Sequence, residues 1–332
     1  MAAYTTIDNP ELYFQNKIYT GNGTDNTSIT LDGDENMQSD LIAIKRRNAA
    51  SGTQNMDSVR GAAAKIAWNE SNAEESPGDI LSSFDSNGFT LGDSAAVNGS
   101  SDTFVAWCWK ESATAGFDII TYSGTGSAKN ESHSLSATPH WILTKCRSTA
   151  QSWATHHKSY SATEKVMYLD NNNALASTDP DWITAVSSST ISLGGSGSDA
   201  NTSGRTYVAY LWSEKQGFSK FGSFTGNGND DGTFVHTGFR PAWTMIKCTS
   251  ATDHWPIDDN KRSTSNFMQN TLRANLSNAE YTGSAYGIDF LSNGFKVRND
   301  DGQYNLSGGT FVYMAFAEAP FVNSNGVPAN AR

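Results

Sequence analysis

The side chains of this chain that could do chemistry come mostly as adjacent pairs. Glu74-Glu75, Asp230-Asp231, Asp258-Asp259 and Asp300-Asp301 are neighbouring carboxylates, and His156-His157 follows Trp153. Retaining glycoside cleavage needs two carboxyl groups about 5 Å apart. On a strand that means alternating acids, E-x-D-x-E, because every second side chain shares a face. Adjacent acids point to opposite faces or sit in turns, so these pairs read as solvated loop acids and no residue is assigned a catalytic role. The same alternation keeps His156 and His157 from sharing one metal ion. Ca²⁺ needs only oxygen ligands, so Asp230-Asp231 or residues 170–173 are the loops that would admit it. No other cofactor is expected and no metal ligand is assigned.

Other candidates concern binding. Trp153 and Trp255 recur at matching places, with Tyr160 close to the first. Such rings stack on sugar faces or anchor interfaces when exposed, and plug the ends of sandwiches when buried. Asp57-x-x-Arg60 and Asp259-x-x-Arg262 are either polar recognition loops or local charge-assisted hydrogen bonds. Gly194-Gly195-Ser196-Gly197 lacks the Lys-Ser/Thr and the helix of a phosphate-binding loop. Cys108, Cys146 and Cys248 have no C-x-x-C spacing and lie in apolar runs, as buried thiols of a reducing cytoplasm do.

The elements that hold these residues follow from an internal repeat. Tyr19-Thr20-Gly21-Asn22-Gly23 returns as Tyr122-Ser123-Gly124-Thr125-Gly126 and as Phe224-Thr225-Gly226-Asn227-Gly228. The runs before Lys45, Lys145 and Lys247 match each other. So do Phe104-Val105-Ala106-Trp107-Cys108-Trp109, Tyr207-Val208-Ala209-Tyr210-Leu211-Trp212 and Phe311-Val312-Tyr313-Met314-Ala315-Phe316. Blocks in one order about 100 residues apart imply three units, near 17–116, 117–217 and 218–321. That period suits domain-sized beads, each with its own core. The closing runs are apolar throughout and rich in aromatic and β-branched residues, which suits strands buried on both faces. With Gly-rich turns between short strands, each unit is expected to be a β-sandwich and the chain all-β. Val59 to Asn69 is the one helix candidate. Lys45, Lys145 and Lys247 are expected to pack their stems and hold the ammonium at the surface.

Composition narrows the partners. A net charge of −11 argues against wrapping DNA or an anionic membrane. No apolar stretch exceeds about seven residues, against roughly twenty for a spanning helix, and the N-terminus has no signal-peptide pattern.

Several motifs resemble virion structural proteins of tailed bacteriophages of marine bacteria and cyanobacteria. They include Ala3-Tyr4-Thr5-Thr6-Ile7-Asp8 with Tyr13-Phe14, Asp57-Ser58-Val59-Arg60-Gly61, and Gly217-Phe218-Ser219-Lys220-Phe221-Gly222-Ser223. Thr237-Gly238-Phe239-Arg240-Pro241-Ala242 and Phe290-Leu291-Ser292-Asn293-Gly294-Phe295-Lys296 complete the likeness. The resemblance covers nearly the whole chain. It implies concanavalin- or laminin-G-like jelly rolls in a non-enzymatic tail-fibre-like protein that reaches the virion from the host cytoplasm. Its partners would be other virion proteins and copies of itself, with host surface glycan as a further candidate. A head decoration or connector protein and a glycan depolymerase are the alternatives. Residues 1–16, with Tyr4, Tyr13 and Phe14, are expected to be an arm that docks on a neighbouring virion protein. Residues 322–332 are expected to form an extended tail.

Overall fold

The run 104–109 has no polar residue to mark a solvent face, and from Phe104 to Trp109 every position is buried. Its counterparts in the strands Thr206–Trp212 and Thr310–Pro320, and the runs that end at Lys45, Lys145 and Lys247, are nearly as closed to water. The computed structural model describes residues 3–160, 165–175, 177–178, 182–195 and 199–330. All pairings between its strands are antiparallel, and each sheet draws on one repeat only.

In the first unit a large sheet orders the strands Phe14–Thr20, Thr103–Trp109, Leu41–Arg46, Gln54–Asp57 and Ile66–Ala67. A small sheet of Thr27–Thr30, Gly88–Leu91 and Leu81–Asp85 covers one of its faces. The second and third units repeat the plan with six strands against three. The fold is all-β, built of sandwich-like layers.

The two faces of each large sheet go to two different cores. Ile42, Ile44, Phe104, Ala106 and Cys108 point toward the small sheet and fill the first sandwich, and the other two units fill theirs alike. The alternate residues Leu41, Ala43, Val105, Trp107 and Trp109 point the other way. There they meet Trp141, Leu143, Tyr210 and Trp212 of the second unit and Trp243, Met245, Met314 and Phe316 of the third, in one cluster. Trp109 lies edge-on to Trp243 at 5.7 Å, to Phe316 at 5.7 Å and to Trp212 at 6.3 Å between ring centroids. The three large sheets thus close around a common aromatic axis, a cyclic trimer of sandwiches within one chain. The expected beads are not independent, since each uses its second sheet face to bury its neighbours.

Three further expectations change. Val59 to Asn69 is not helical: it holds turns and the short strand Ile66–Ala67, and the α-helices among the described residues are the four-residue Ala95–Asn98 and Gly302–Asn305. The N-terminal arm docks on its own chain. Tyr4 donates to the Gly238 carbonyl at 2.8 Å and Thr5 to that of Gln216 at 2.8 Å. Tyr13 packs against Phe218, and Phe14 begins the first strand and lies 5.0 Å from Trp109 and 5.1 Å from Phe316 in the central cluster. The C-terminal segment is not extended. Val322 bridges to Pro328 around a turn, and Ser324 bonds Asp8 of the arm.

The Gly-x-Gly turns need glycine twice. Gly23, Gly126 and Gly228 have φ of 70°, 71° and 64°, in the left-handed region. At Gly21, Gly124 and Gly226 a Cβ would stand within 2.4 Å of a carbonyl oxygen. That carbonyl belongs to a segment built around a buried asparagine, Asn98, Asn201 or Asn305. Its Oδ1 accepts from the turn at 2.8–3.0 Å, and its Nδ2 donates to the carbonyl of Gly92, Gly194 or Asn299.

A shared core predicts shared unfolding. Calorimetry should record one cooperative transition for the full chain, and three separable transitions would contradict the common axis. Trp109→Ala should cost about 3–5 kcal/mol, as large-to-small changes in a core do.

Candidate functional site

Most candidate residues of the sequence converge on the three junctions between units. Leu41, Trp141 and Trp243 lie opposite Asp57, His157 and Asp259 in register, so these three are equivalent positions. Each reaches across to a neighbouring unit. Asp57 accepts the Tyr210 hydroxyl at 2.6 Å and Asp259 accepts the Trp107 indole N–H at 2.9 Å. The position equivalent to Trp107 and Tyr210 in the third unit is Met314, which has no donor. There the partner is His157, whose Nε2 lies 3.2 Å from the Tyr313 carbonyl oxygen. Burial pushes His157 down to about 3, so the ring is neutral. Its Nδ1 accepts from Ser159 N–H, which leaves Nε2 to carry the proton toward the carbonyl.

The Asp-x-x-Arg pairs serve the same junctions. Arg60 holds Asp57 at 2.5 Å and also donates to the Asn55 carbonyl and to Glu74. Glu74 in turn accepts two bonds, at 2.9 and 2.8 Å, from Arg147 of the second unit. Arg262, Asp259 and Glu280 repeat this arrangement, with Arg47 of the first unit as the bidentate partner. The local tie and the link between units are therefore one network.

At the third junction all four charged positions change together. The main-chain bond from Leu175 to Thr249 matches those from Glu74 to Arg147 and from Glu280 to Arg47. Leu175 and Thr249 thus stand where the Glu and the distal Arg stand elsewhere, while His157 and Tyr160 replace Asp and Arg. Tyr160 turns its hydroxyl onto Thr155 at 2.8 Å, and Leu175 packs against the central cluster. Two junctions carry the carboxylate–arginine network, and the third replaces it with Leu175, Thr249, His157 and Tyr160.

The three lysines correct an expectation. Their ammonium groups are not at the surface but sealed into the junctions. Lys45 donates to the carbonyls of Ser51 and Leu276, at 3.0 and 2.6 Å. Lys145 donates to Ser71 and Gln151, and Lys247 to Cys248 and Asn172. Burial brings Lys45 down to about 7 and Lys145 and Lys247 to about 8. A neutral amine still has two N–H bonds, enough for two carbonyls.

Trp153, Trp255 and Tyr160 are all buried, so none offers a face to a sugar. The Trp153 indole donates to the Ala67 carbonyl of the first unit at 2.7 Å, and that of Trp255 donates to Tyr168 and Asn171 of the second. Both Trp rings fill gaps between units and do not plug sandwich ends. In the first unit this position is Thr53, by the match of its main-chain bond to Trp68. Trp68 supplies the missing volume and stacks on Trp107 at 6.1 Å.

Both candidate Ca²⁺ loops make contacts within the chain. Asp170 accepts from Trp153 N–H and Asp231 pairs with Lys296. Among the described residues no group of three or more His, Cys, Asp or Glu is placed to hold a metal ion. The short basic run 45–47 is also dispersed, with Arg46 on Asp102 and Arg47 on Glu280. Of the adjacent acid pairs expected to be solvated, Asp258 and Asp259 are instead buried and Glu74 is tied to Arg60 and Arg147. The junction roles of Trp107, Tyr210, Glu74 and Glu280 were hidden because each has a partner in another repeat. Arg47 and Arg147, two residues after the recurring lysines, were the available signal.

Two tests follow from the buried charges. Asp57→Ala leaves Arg60 without its closest partner, and breaking a buried pair from one side costs about 3–5 kcal/mol; a loss under 1 kcal/mol in denaturant unfolding would contradict the network. For the lysines, the folded chain has released their protons by about pH 8, while the unfolded chain keeps them to about 10.5. The unfolded state then binds more protons, so their contribution makes stability rise with pH between about 7 and 10.5. Lys45→Met should lower that slope, measured as Tm against pH, and an unchanged slope would contradict the assignment.

No curated protein matches this chain. A family model described as a domain of unknown function (DUF7483) matches residues 9–320, from the arm to the last strand of the third unit. The three sandwiches lie within one family domain, and the chain belongs to that family.

Proposed function

We propose that the protein is a non-enzymatic structural component of a tailed-bacteriophage particle, placed in the tail and contributing to host attachment. The observation that carries this reading is the shared aromatic axis. A large sheet face that an isolated sandwich would leave open to ligand is turned inward in all three units. Each unit is gripped by two neighbours through buried polar links, and what faces outward is loops and small sheets. Such a body keeps its shape under load and offers contact surfaces in several directions, as a particle component must. The resemblance of its motifs to those of phage virion proteins supplies the context.

The two chain ends support one pole of attachment. Asp8 and Ser324 bond each other, and Tyr4 packs edge-on against Phe321 at 6.4 Å. The arm and the C-terminal segment therefore form a single surface on the third unit, where neighbouring virion proteins or further copies of this chain would dock.

Immunogold labelling of purified particles tests the reading. Label on the tail is expected. Label confined to the head would replace it with a decoration role, and unlabelled particles would remove the virion assignment. Release of reducing ends from host polysaccharide by the purified chain would instead establish a depolymerase.

A further inference from the structure

The third unit departs from the others at one hairpin. Asn55 pairs with Ile66 and Thr155 with Met167, but the equivalent Ile257 pairs with Leu272, so its connection is three to four residues longer. The longer loop is fastened to the small sheet of its own unit. The Asn266 amide donates to the Phe290 carbonyl at 2.8 Å and accepts from Phe290 N–H at 2.9 Å. Met268 N–H donates to the Ile288 carbonyl at 2.7 Å. Between these anchors the Phe267 ring rests on Gly287, where a Cβ would stand 1.5 Å from a ring carbon. Any other residue at 287 would displace the ring, so the seat is specific to this unit's sequence.

This loop walls a groove of about 650 Å³, lined by Asp230, Asn266, Phe267, Ser284, Asp289 and Arg298. That volume falls within the roughly 300–1,000 Å³ of small-molecule sites. Its lining combines one half-buried aromatic ring with short-range hydrogen-bonding groups. Asp289 and Arg298 face each other at 3.5 Å, with Arg298 partly open to solvent. A carboxylate beside a guanidinium offers an acceptor and donors to adjacent hydroxyls. The aromatic ring offers a flat apolar surface to the C–H face of a pyranose. Two carboxylates against one guanidinium leave the lining net negative, on a chain that is itself at −11, which disfavours phosphate, sulfate and uronic acids.

We infer that this groove is a binding subsite for a neutral pyranose of a cell-surface glycan, with Phe267 as the stacking platform and Asp289 and Arg298 as the hydroxyl partners. The inference rests on the host-attachment reading and locates that role in one unit of the three. The equivalent connections of the first two units are three to four residues shorter.

Saturation-transfer NMR on the full chain tests it, with the methyl glycosides of glucose, galactose and mannose as probes and glucuronate as the acidic comparison. At least one neutral glycoside should receive saturation, and glucuronate none. Ser284→Trp fills the groove from an exposed position without touching the core, and Phe267→Leu removes the platform. Both should weaken the signal roughly tenfold, the loss of about 1.4 kcal/mol, with an unchanged Tm for Ser284→Trp. No transfer from any neutral glycoside, transfer that survives Ser284→Trp, or transfer from glucuronate would each overturn the site. The outcome is separable from particle labelling. A labelled tail with no transfer removes the groove alone, and transfer with unlabelled particles removes the virion assignment alone.

Discussion

A strand that is apolar on both faces cannot end in a two-layer sandwich. One face packs on the small sheet, and the other remains as a stripe of tryptophan, leucine and methionine that water would have to cover. Burying apolar surface is worth about 25 cal/mol per Å², and each of these rings buries some 150–250 Å², so the second face decides the architecture. Three such sheets can cover each other by closing into a ring, each turning its spare face to a common axis. The junction hydrogen bonds, the sealed lysines and the inward arm residue Phe14 all depend on that closure.

Within the ring the repeats have diverged in step. Where Met314 removes the donor that Trp107 and Tyr210 supply, His157 replaces aspartate and turns to the Tyr313 carbonyl. Where no charged partner stands at Thr249, Leu175 and Tyr160 replace the Glu and the Arg. Volume is traded in the same way between Thr53 with Trp68 and Trp153 with Leu169. Each of the two polar exchanges removes a buried group that would otherwise lack its partner, a loss worth about 1–3 kcal/mol. The divergence also distinguishes the junctions: a face carrying Leu175 or Thr249 set against an ionic one would leave Glu74, Glu280 or their distal arginines without the partner across the junction. A single order of units around the axis is thereby favoured, and exchange of units between chains is disfavoured.

Much of this was legible in local pattern. The blocks ending in Lys45, Lys145 and Lys247, the paired glycines and the closing aromatic runs identify three all-β units, because each signal lies within one strand or turn. The same runs lack alternation, and that already implied burial on both faces. Independent beads are incompatible with it, since a lone sandwich leaves one face of its large sheet wet. Asn98, Asn201 and Asn305 were also within reach, as an Asn-x-Ser-x-x-Thr pattern before each closing strand. The partners of Trp153, Trp255 and Tyr160 were not. A buried tryptophan at a junction and an exposed one in a binding loop have the same local sequence, and only the fold separates them. The polar lining of the groove in the third unit was equally hidden, because Asp230, Asn266 and the Asp289–Arg298 hairpin come from three separate stretches of the chain.

The extent of the family domain has a physical basis in this closure. A match over residues 9–320 treats as one object what the repeat alone divides into three. Removing any unit would expose the aromatic faces of the other two and strand the buried charges that reach into it, so the ring is the smallest piece with a complete core. Function is then constrained in kind. The inner faces are committed to the axis and must stay mutually compatible, so freedom to specialise is left to the outer loops and the small sheets. The lengthened hairpin of the third unit is such a place: it adds a walled surface on the outside while the strands that carry it, Pro256–Asp259 and Asn270–Arg273, keep their parts in the core.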